Sequence, residues 1–246
     1  MAYKVFISPS DQTANTYAAG NTNEAMQCGK VGVALQEALK RCGFETMLVQ
    51  YEPMSSKCTK SDAFGADLHI PVHSNGFNKS VTGTRLFCSS FKGEGYKACK
   101  AIFDELAPLT PGTSEMISEE PKLYEIRMPA APTAYVEIDF HDVDYIAEWI
   151  ISHTTEIAEA IAKGVCNYFG IQYIAPKPEN KPTEEEDKVM RMQTIQDVPD
   201  WAKKETQELI DAGALRGSEK GLDLTEDMLR TIIICKRYIE AKASNL

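Results

Sequence analysis

Apolar and polar residues alternate in blocks along the first two thirds of the chain. Apolar, β-branched stretches predict strands at 3–7, 44–50, 67–73, 84–89, 123–128 and 134–140. Apolar residues at helical spacing predict helices at 24–42, 55–66 and 96–106, and either two helices or one bent helix across 143–169. Residues 108–122 are predicted to form a polar loop. This order is typical of an α/β fold, with a mostly parallel central sheet flanked by helices.

The composition of the chain changes near residue 175. Residues 176–192 include three prolines and a four-residue acidic block, which predicts a linker between a domain at 1–175 and a tail at 193–246. Helix starts near Pro199 and Thr225 predict a small all-α module, a helical hairpin with Trp201 in its core. Because two short helices cannot build a large core, we expect this module to dock on a partner or on another copy.

Charge and hydropathy exclude several classes of partner. The 246 residues carry a net charge of -10 and contain no basic run, so we expect no nucleic-acid partner. No stretch approaches the ~18 to 20 apolar residues of a membrane span. The first residues are too short an apolar run for a signal peptide, so we expect synthesis in the cytoplasm without one.

Candidate chemistry lies at the ends of predicted strands and at one helix start. His73 ends a buried strand, at the edge where open α/β sheets bind ligands. Glu24 opens the first helix, where a carboxylate also complements the helix dipole. Glu137 and Asp139 are predicted to share one face of a strand that is otherwise fit for burial. Two carboxylates there cost free energy unless they meet a metal, a proton or a cleft.

Several motifs occur together in a familiar order. They are the GluAlaMetGlnCys helix start, the ValHisSerAsn strand end, GlyThrArgLeuPhe, LeuTyrGluIleArg and TyrValGluIleAspPhe. Over about residues 3–170 they resemble the zinc-dependent N-acetylmuramoyl-L-alanine amidases. The opening SerProSerAspGln is similar to the branch found in endolysins and sporulation-type autolysins. The resemblance implies a zinc hydrolase that acts at the bacterial cell wall on peptidoglycan, between N-acetylmuramic acid and L-alanine.

The resemblance also implies roles for single residues. Glu24 and His73 match zinc ligands, and Glu137 matches the catalytic carboxylate that serves as general base and acid. Arg127 matches a family arginine close to the substrate. Asn75, the last residue of ValHisSerAsn, is assigned to substrate binding with it.

One zinc ligand of the family has no counterpart here. The family has a histidine after its first strand, whereas the corresponding loop of this chain contains none. We assign Asp11 to this place, and Gln12, His69 and His141 are the open alternatives. Since catalytic zinc normally has three protein ligands, the alternative function is a non-catalytic wall-binding protein that kept the fold and lost a ligand.

The tail is similar to S-layer-homology-like helical modules. Its ValProAspTrpAla and LeuIleAspAlaGlyAlaLeuArgGly segments carry this likeness. The likeness implies attachment to the cell wall, and homodimerisation is the second prediction for this module.

Overall fold

The computed structural model describes residues 2–177, 191–218 and 221–243. The chain divides into two compact units, Met1–Lys177 and Pro178–Leu246. Most of the predicted linker, residues 178–190, lies outside the described residues.

A six-stranded sheet forms the centre of the first unit, in the order β2-β1-β3-β6-β4-β5. All neighbouring strands are parallel except β4 and β6, which confirms the predicted mostly parallel sheet. The strands are β1 (Lys4–Pro9), β2 (Glu45–Leu48), β3 (Leu68–Asn75), β4 (Arg85–Cys88), β5 (Met116–Glu119) and β6 (Tyr135–Phe140). The helices of this unit are α1 (Glu24–Arg41), α2 (Met54–Phe64), α3 (Glu94–Leu106), α4 (Tyr124–Arg127), α5 (Asp144–Ser152) and α6 (Thr154–Phe169).

The two faces of the sheet differ in chemistry. On one face, alternate residues such as Val5, Ile70 and Val136 are fully buried in an apolar core with α1, α3 and α6. The opposite face carries Phe6, Ser8 and the histidines of β3, and α2 and α4 cover part of it. Because strand side chains alternate between faces, the polar residues of β1 and β3 are collected on this second face.

Two predicted elements of the first unit are wrong. The predicted loop at 108–122 contains β5, a short strand that pairs with β4 at the end of the sheet and buries little surface. The predicted strand at 123–128 contains the one-turn helix α4 instead. A short run with Leu123 and Ile126 three positions apart fits a helical turn as well as a strand. Burial of Glu125 on that turn favours the helix.

The second unit contains α7 (Asp200–Asp211) and α8 (Glu226–Ala243). Among the residues described in this unit, six buried side chains form its core: Met192, Val198, Ala202, Leu224, Leu229 and Ile233. Trp201 does not belong to this core, since it is 42% exposed and the Arg230 guanidinium lies 5.4 Å from its ring centre. Among the described residues, no helix is long and apolar enough to cross a membrane.

Candidate active site

Strand register brings the predicted site residues together on β3 and β6, the two central strands of the sheet, towards their carboxyl ends. His73 on β3 and Glu137 on β6 are directly paired, so their side chains leave the sheet on the same face. Glu24 reaches them from the first turn of α1. That helix begins where the Asn23 side chain caps the amide of Met26, and Asn15 O accepts from the amide of Glu24. Caps of this kind fix the start of the helix, and with it the direction of the Glu24 side chain.

Glu24 and His73 form the centre of the site. Glu24 Oε1 lies 2.8 Å from His73 Nδ1, and both side chains are buried. Asn15 Nδ2 donates to Glu24 Oε2 at 2.7 Å and to Gln12 Oε1 at 2.9 Å. The loop after β1 therefore holds the carboxylate in place against the imidazole.

Burial and mutual charge shift the pKa values of all three groups. Burial raises the pKa of Glu137 to about 8; the charge of His73 opposes this shift, and that of Glu24 adds to it. Burial acts to raise the pKa of Glu24, but the hydrogen bond and charge of His73 outweigh it and lower that pKa. Burial acts to lower the pKa of His73, but its hydrogen bond to Glu24 and the negative charges of Glu137, Glu24 and Glu125 together outweigh burial and raise that pKa. Shifted groups clustered at a sheet edge are typical of functional sites.

Two buried polar atoms here have no hydrogen-bond partner among the described residues, His73 Nε2 and Glu137 Oε2. Each such atom costs about 1–3 kcal/mol. Tyr135 stacks on the His73 ring with centroids 4.8 Å apart and holds it in place. Spare bonding capacity on fixed side chains is what a bound substrate, water or ion would satisfy.

Asp139 has a structural role, unlike Glu137, because its carboxylate accepts hydrogen bonds from backbone amides. The register of β3 and β6 shifts between His73 and Asn75, because β6 contains one extra residue there. Asp139 is fully buried and accepts from the amides of Gly83, Gly112 and Phe140. The shift breaks the simple alternation, and Asp139 anchors loops around the site.

A hydrogen-bonded chain lies close to the site. Tyr17 Oη and Ser74 Oγ are 2.8 Å apart, and Ser74 Oγ lies 2.9 Å from His141 Nδ1. Tyr17 also stacks on His141, and Ala18 N donates to His141 O. These contacts tie the loop before α1 to the ends of β3 and β6.

The other candidate residues lie around this centre. Asp11 Oδ2 lies 3.4 Å from Lys57 Nζ. Asn75 accepts from the amide of Gly76 at the end of β3. Arg127 is exposed on α4, with its guanidinium 5.8 Å from the ring of Tyr124. His69 meets Ser61 and Glu125. In the part of the chain that the structure describes, neither Asp11 nor His69 makes a hydrogen bond or an ion pair with Glu24 or His73.

The residues present fit zinc in part. Glu24 Oε1 and His73 Nδ1 are a carboxylate and an imidazole, two donors that zinc accepts. Within the described ranges, however, no three His, Cys, Asp or Glu side chains are arranged to hold a metal ion. A third donor from this set is therefore not in place beside the pair.

Sequence reasoning missed two contributors to the site. Asn15 and Tyr135 are both in contact with a predicted ligand. Tyr135 lies two residues before Glu137 on β6 and hence on the same face, so strand alternation is a signal that could have found it. Asn15 lies in an irregular loop, where spacing carries no such information.

Comparison with known proteins identifies the family of this chain. Residues 5–167 match the family model described as N-acetylmuramoyl-L-alanine amidase. No curated protein matches the chain. The fold is similar to the catalytic domain of CwlV, an N-acetylmuramoyl-L-alanine amidase from Bacillus (Paenibacillus) polymyxa, with TM-score 0.64 and 14% identity over 69% of this chain and 99% of that one.

Two further solved structures share the fold. The N-acetylmuramoyl-L-alanine amidase of Clostridium difficile 630 has TM-score 0.59 and 17% identity over 69% of this chain and 97% of that one. The amidase AmiC2 of Nostoc punctiforme has TM-score 0.59 and 16% identity, with coverages of 68% and 97%. Because the family model matches residues 5–167, about two thirds of the 246 residues, this chain belongs to the N-acetylmuramoyl-L-alanine amidase family of hydrolases.

Proposed function

We propose that this protein hydrolyses the amide bond between N-acetylmuramic acid and the L-alanine of the stem peptide, with zinc as cofactor. The observation that carries the proposal is the cluster of Glu24, His73 and Glu137 at one sheet edge, with spare bonding capacity on the last two. Family membership supplies the reaction class.

The chain's own residues divide the work of the reaction. Glu24 and His73 would hold zinc, which when bound acidifies a water and polarises the scissile carbonyl. Glu137 takes the proton of the attacking water and returns it to the leaving alanine nitrogen. Without a metal, burial raises the pKa of Glu137 to about 8, and the positive charge of a bound zinc ion would lower that pKa and favour the carboxylate that acts as base. Asn15 orients Glu24, and Arg127 and Asn75 bind the substrate.

An assay on the purified 246-residue chain tests this proposal. Zinc content is measured first, and peptidoglycan is then digested while new alanine amino termini are counted. We expect about one zinc per chain and a loss of roughly 10²- to 10⁴-fold in Glu137→Gln, the usual contribution of a general base. Glu156→Gln, an exposed change on α6, is the matched control and should keep full activity.

The second candidate is a wall-binding protein without catalysis. It is favoured by one observation, the lack of three convergent His, Cys, Asp or Glu side chains in the described part of the chain. Peptidoglycan binding without zinc and without new amino termini would establish it and refute the first proposal.

For the tail we propose attachment of the enzyme, either to the cell wall or to a second copy. The support is the exposed apolar surface of α8, where Ile234, Tyr238 and Ile239 are each more than 60% exposed. Light scattering measures dimerisation, and sedimentation with purified cell walls measures wall binding. Both are compared between the wild type and the double variant Ile234→Ser/Tyr238→Ser. The double variant should lose either dimerisation or wall binding, and retention of both would contradict the proposal.

A further inference from the structure

A buried arginine lies beside the candidate active site. Arg85, the first residue of β4, is paired directly with Glu137 on the antiparallel strand β6. Directly opposed residues of antiparallel strands point to the same face of the sheet, so Arg85 leaves it on the side that carries Glu137 and His73. Arg85 is only 9% exposed. A guanidinium cation is therefore buried on the face of the sheet where the hydrolysis is proposed to take place.

The Arg85 side chain extends past Glu137 to the carboxyl end of β6. Its guanidinium carbon lies 5.6 Å from the centre of the Phe140 ring, and its Nη2 donates to Ser114 Oγ at 3.0 Å. Phe140 is the strand partner of Asn75 on β3, which is assigned to substrate binding. The guanidinium thus lies next to the reacting groups and not between them. This position suits a residue that binds a part of the substrate adjacent to the bond that is cut.

The guanidinium has unused donors. Its Nη1 is buried and has no hydrogen-bond partner among the described residues, and within the same residues no carboxylate forms an ion pair with Arg85. A buried cation without a counter-ion is strongly unfavourable, and the face of the Phe140 ring compensates only part of that cost. The planar fork of donors matches the two oxygens of a carboxylate. A carboxylate on a bound ligand would therefore satisfy Arg85.

Two loops hold the guanidinium in a fixed position. The Asp139 carboxylate accepts from the amides of Gly83, before β4, and Gly112, before β5. A Cβ atom on Gly83 would lie 2.6 Å from the carbonyl carbon of Ser114, so the two loops pack without room for a side chain at that point. Ser114, the acceptor for Arg85, is thereby kept in place. A donor that is fixed before the ligand arrives loses little freedom on binding.

We propose that Arg85 binds a carboxylate of the stem peptide, adjacent to the amide that is cut. The inference rests on the proposed function and adds a substrate-binding residue to it. In the uncut substrate the lactyl carboxyl of N-acetylmuramic acid is engaged in the scissile amide, so the free carboxylates belong to the peptide. The protein should therefore prefer stem peptides with free carboxylates over peptides in which these groups are amidated.

Binding of short muramoyl peptides to the inactive Glu137→Gln chain tests this inference without using activity. The two ligands are N-acetylmuramoyl-L-alanyl-D-glutamic acid and its diamide, in which both glutamic acid carboxyl groups are carboxamides. Calorimetric titration should show that the diacid binds at least about tenfold more tightly, because it alone offers a charge-assisted pair to the guanidinium. The two monoamides then show which carboxylate is bound. Since Arg85 is unchanged in this comparison, the result does not depend on how a variant folds.

Changes at Arg85 assign the preference to this residue. In the Glu137→Gln chain, Arg85→Met should bind the diacid and the diamide equally. Arg85→Lys should keep only part of the preference, since an ammonium lacks the planar fork. Lys92→Met is the matched control, because it removes a cation from an exposed position beyond the other end of β4. This control should keep the full preference. Thermal unfolding verifies that each variant is folded, and Arg85→Lys decides alone if Arg85→Met is not.

The outcomes separate the inference from the proposed function. Equal binding of the diacid and the diamide by the Glu137→Gln chain would overturn the inference and leave the proposed function intact. A preference that stays as large in Arg85→Met or Arg85→Lys as with Arg85 would do the same. Binding of neither ligand would refute the proposed function and the inference with it.

Discussion

Strand β3 carries two histidines that each meet a buried glutamate, and only one of the pairs is a candidate site. His73 contacts Glu24 at 2.8 Å, and His69 Nε2 lies 3.3 Å from Glu125 Oε1. The two histidines are four residues apart and therefore on the same face of the strand. All four side chains are buried.

The pairs differ in what is left unsatisfied. Both ring nitrogens of His69 have partners, Ser61 Oγ and Glu125, and Glu125 also accepts from Ser8. In contrast, His73 Nε2 is without a partner among the described residues, as is Oε2 of the adjacent Glu137. A buried His–Glu pair is thus no functional signal by itself. Spare bonding capacity at a sheet edge is the feature that separates a site from a structural network.

Removal of His73 should produce the largest effect. His73→Ala removes a ligand of the proposed zinc site, so we expect hydrolysis of peptidoglycan to fall at least about 10²-fold, with the fold retained. Release of alanine amino termini and thermal unfolding measure the two effects. His153→Ala, at the junction of α5 and α6, is the control with full activity. Full activity in His73→Ala would refute the distinction drawn between the pairs.

Removal of Glu125 should act on stability instead. Glu125→Ala leaves His69 and Ser8 without their shared acceptor and takes a negative charge from the neighbourhood of the buried Lys57. Breaking a buried charged network costs about 3–5 kcal/mol, which urea unfolding can measure. Glu156→Ala, exposed on α6, should change the free energy of unfolding little. Unchanged stability in Glu125→Ala would mean that the second pair is not structural.

Glu137 and Glu125 should also affect the pH dependence of the free energy of unfolding in opposite directions in the metal-free protein. Burial raises the folded-state pKa of Glu137 from 4.5 to about 8, so in that window the unfolded chain has lost a proton that the folded chain keeps. Rising pH therefore favours unfolding, with a slope approaching about 1.4 kcal/mol per pH unit from this residue. Glu137→Gln should remove that slope and stabilise the protein at pH 8.

Glu125 has the opposite sign. Its pKa is lowered, because hydrogen bonds from His69 and Ser8 outweigh the effect of burial. Its contribution to stability is present above the ordinary carboxyl pKa and is lost as the pH falls through the lowered value. Unfolding curves measured from pH 3 to 9 with a chelator present give the free energy of unfolding at each pH, and so separate the contribution of Glu137 from that of Glu125. If the free energy of unfolding of Glu137→Gln fell with rising pH as steeply as that of the wild type, Glu137 would not be the residue with the raised pKa.

The sequence was sufficient for elements with strong periodicity. The α1 start at Glu24, the end of β3 near His73 and the burial of β6 follow from spacing and composition, because each element has a continuous apolar face. Helix α4 and strand β5 were not predicted correctly, since each has four residues and takes its conformation from tertiary contacts.

The site was predictable only where strand periodicity reaches it. His73 and Glu137 lie on strands, and register alone brings them together. Asn15 and Gln12 lie in the irregular loop before α1, where hydrogen bonds between distant residues decide the side-chain directions. Asp139 was grouped with Glu137 by alternation, and the extra residue in β6 separates the two tasks.

Helix α4 carries a buried residue, Glu125, and an exposed one, Arg127, two positions apart. Substitution of Arg127 should produce the smallest effect of those predicted. If Arg127 binds the substrate, Arg127→Ala should raise KM about fivefold with kcat unchanged, because an exposed charge contact contributes at most about 1 kcal/mol. Added salt should shrink the difference from wild type, and Arg127→Lys should recover part of it. The free energy of unfolding should stay at the wild-type value, in contrast to Glu125→Ala. A fall in kcat, or an unchanged KM, would place Arg127 outside substrate binding and leave the one-turn helix with a structural role alone.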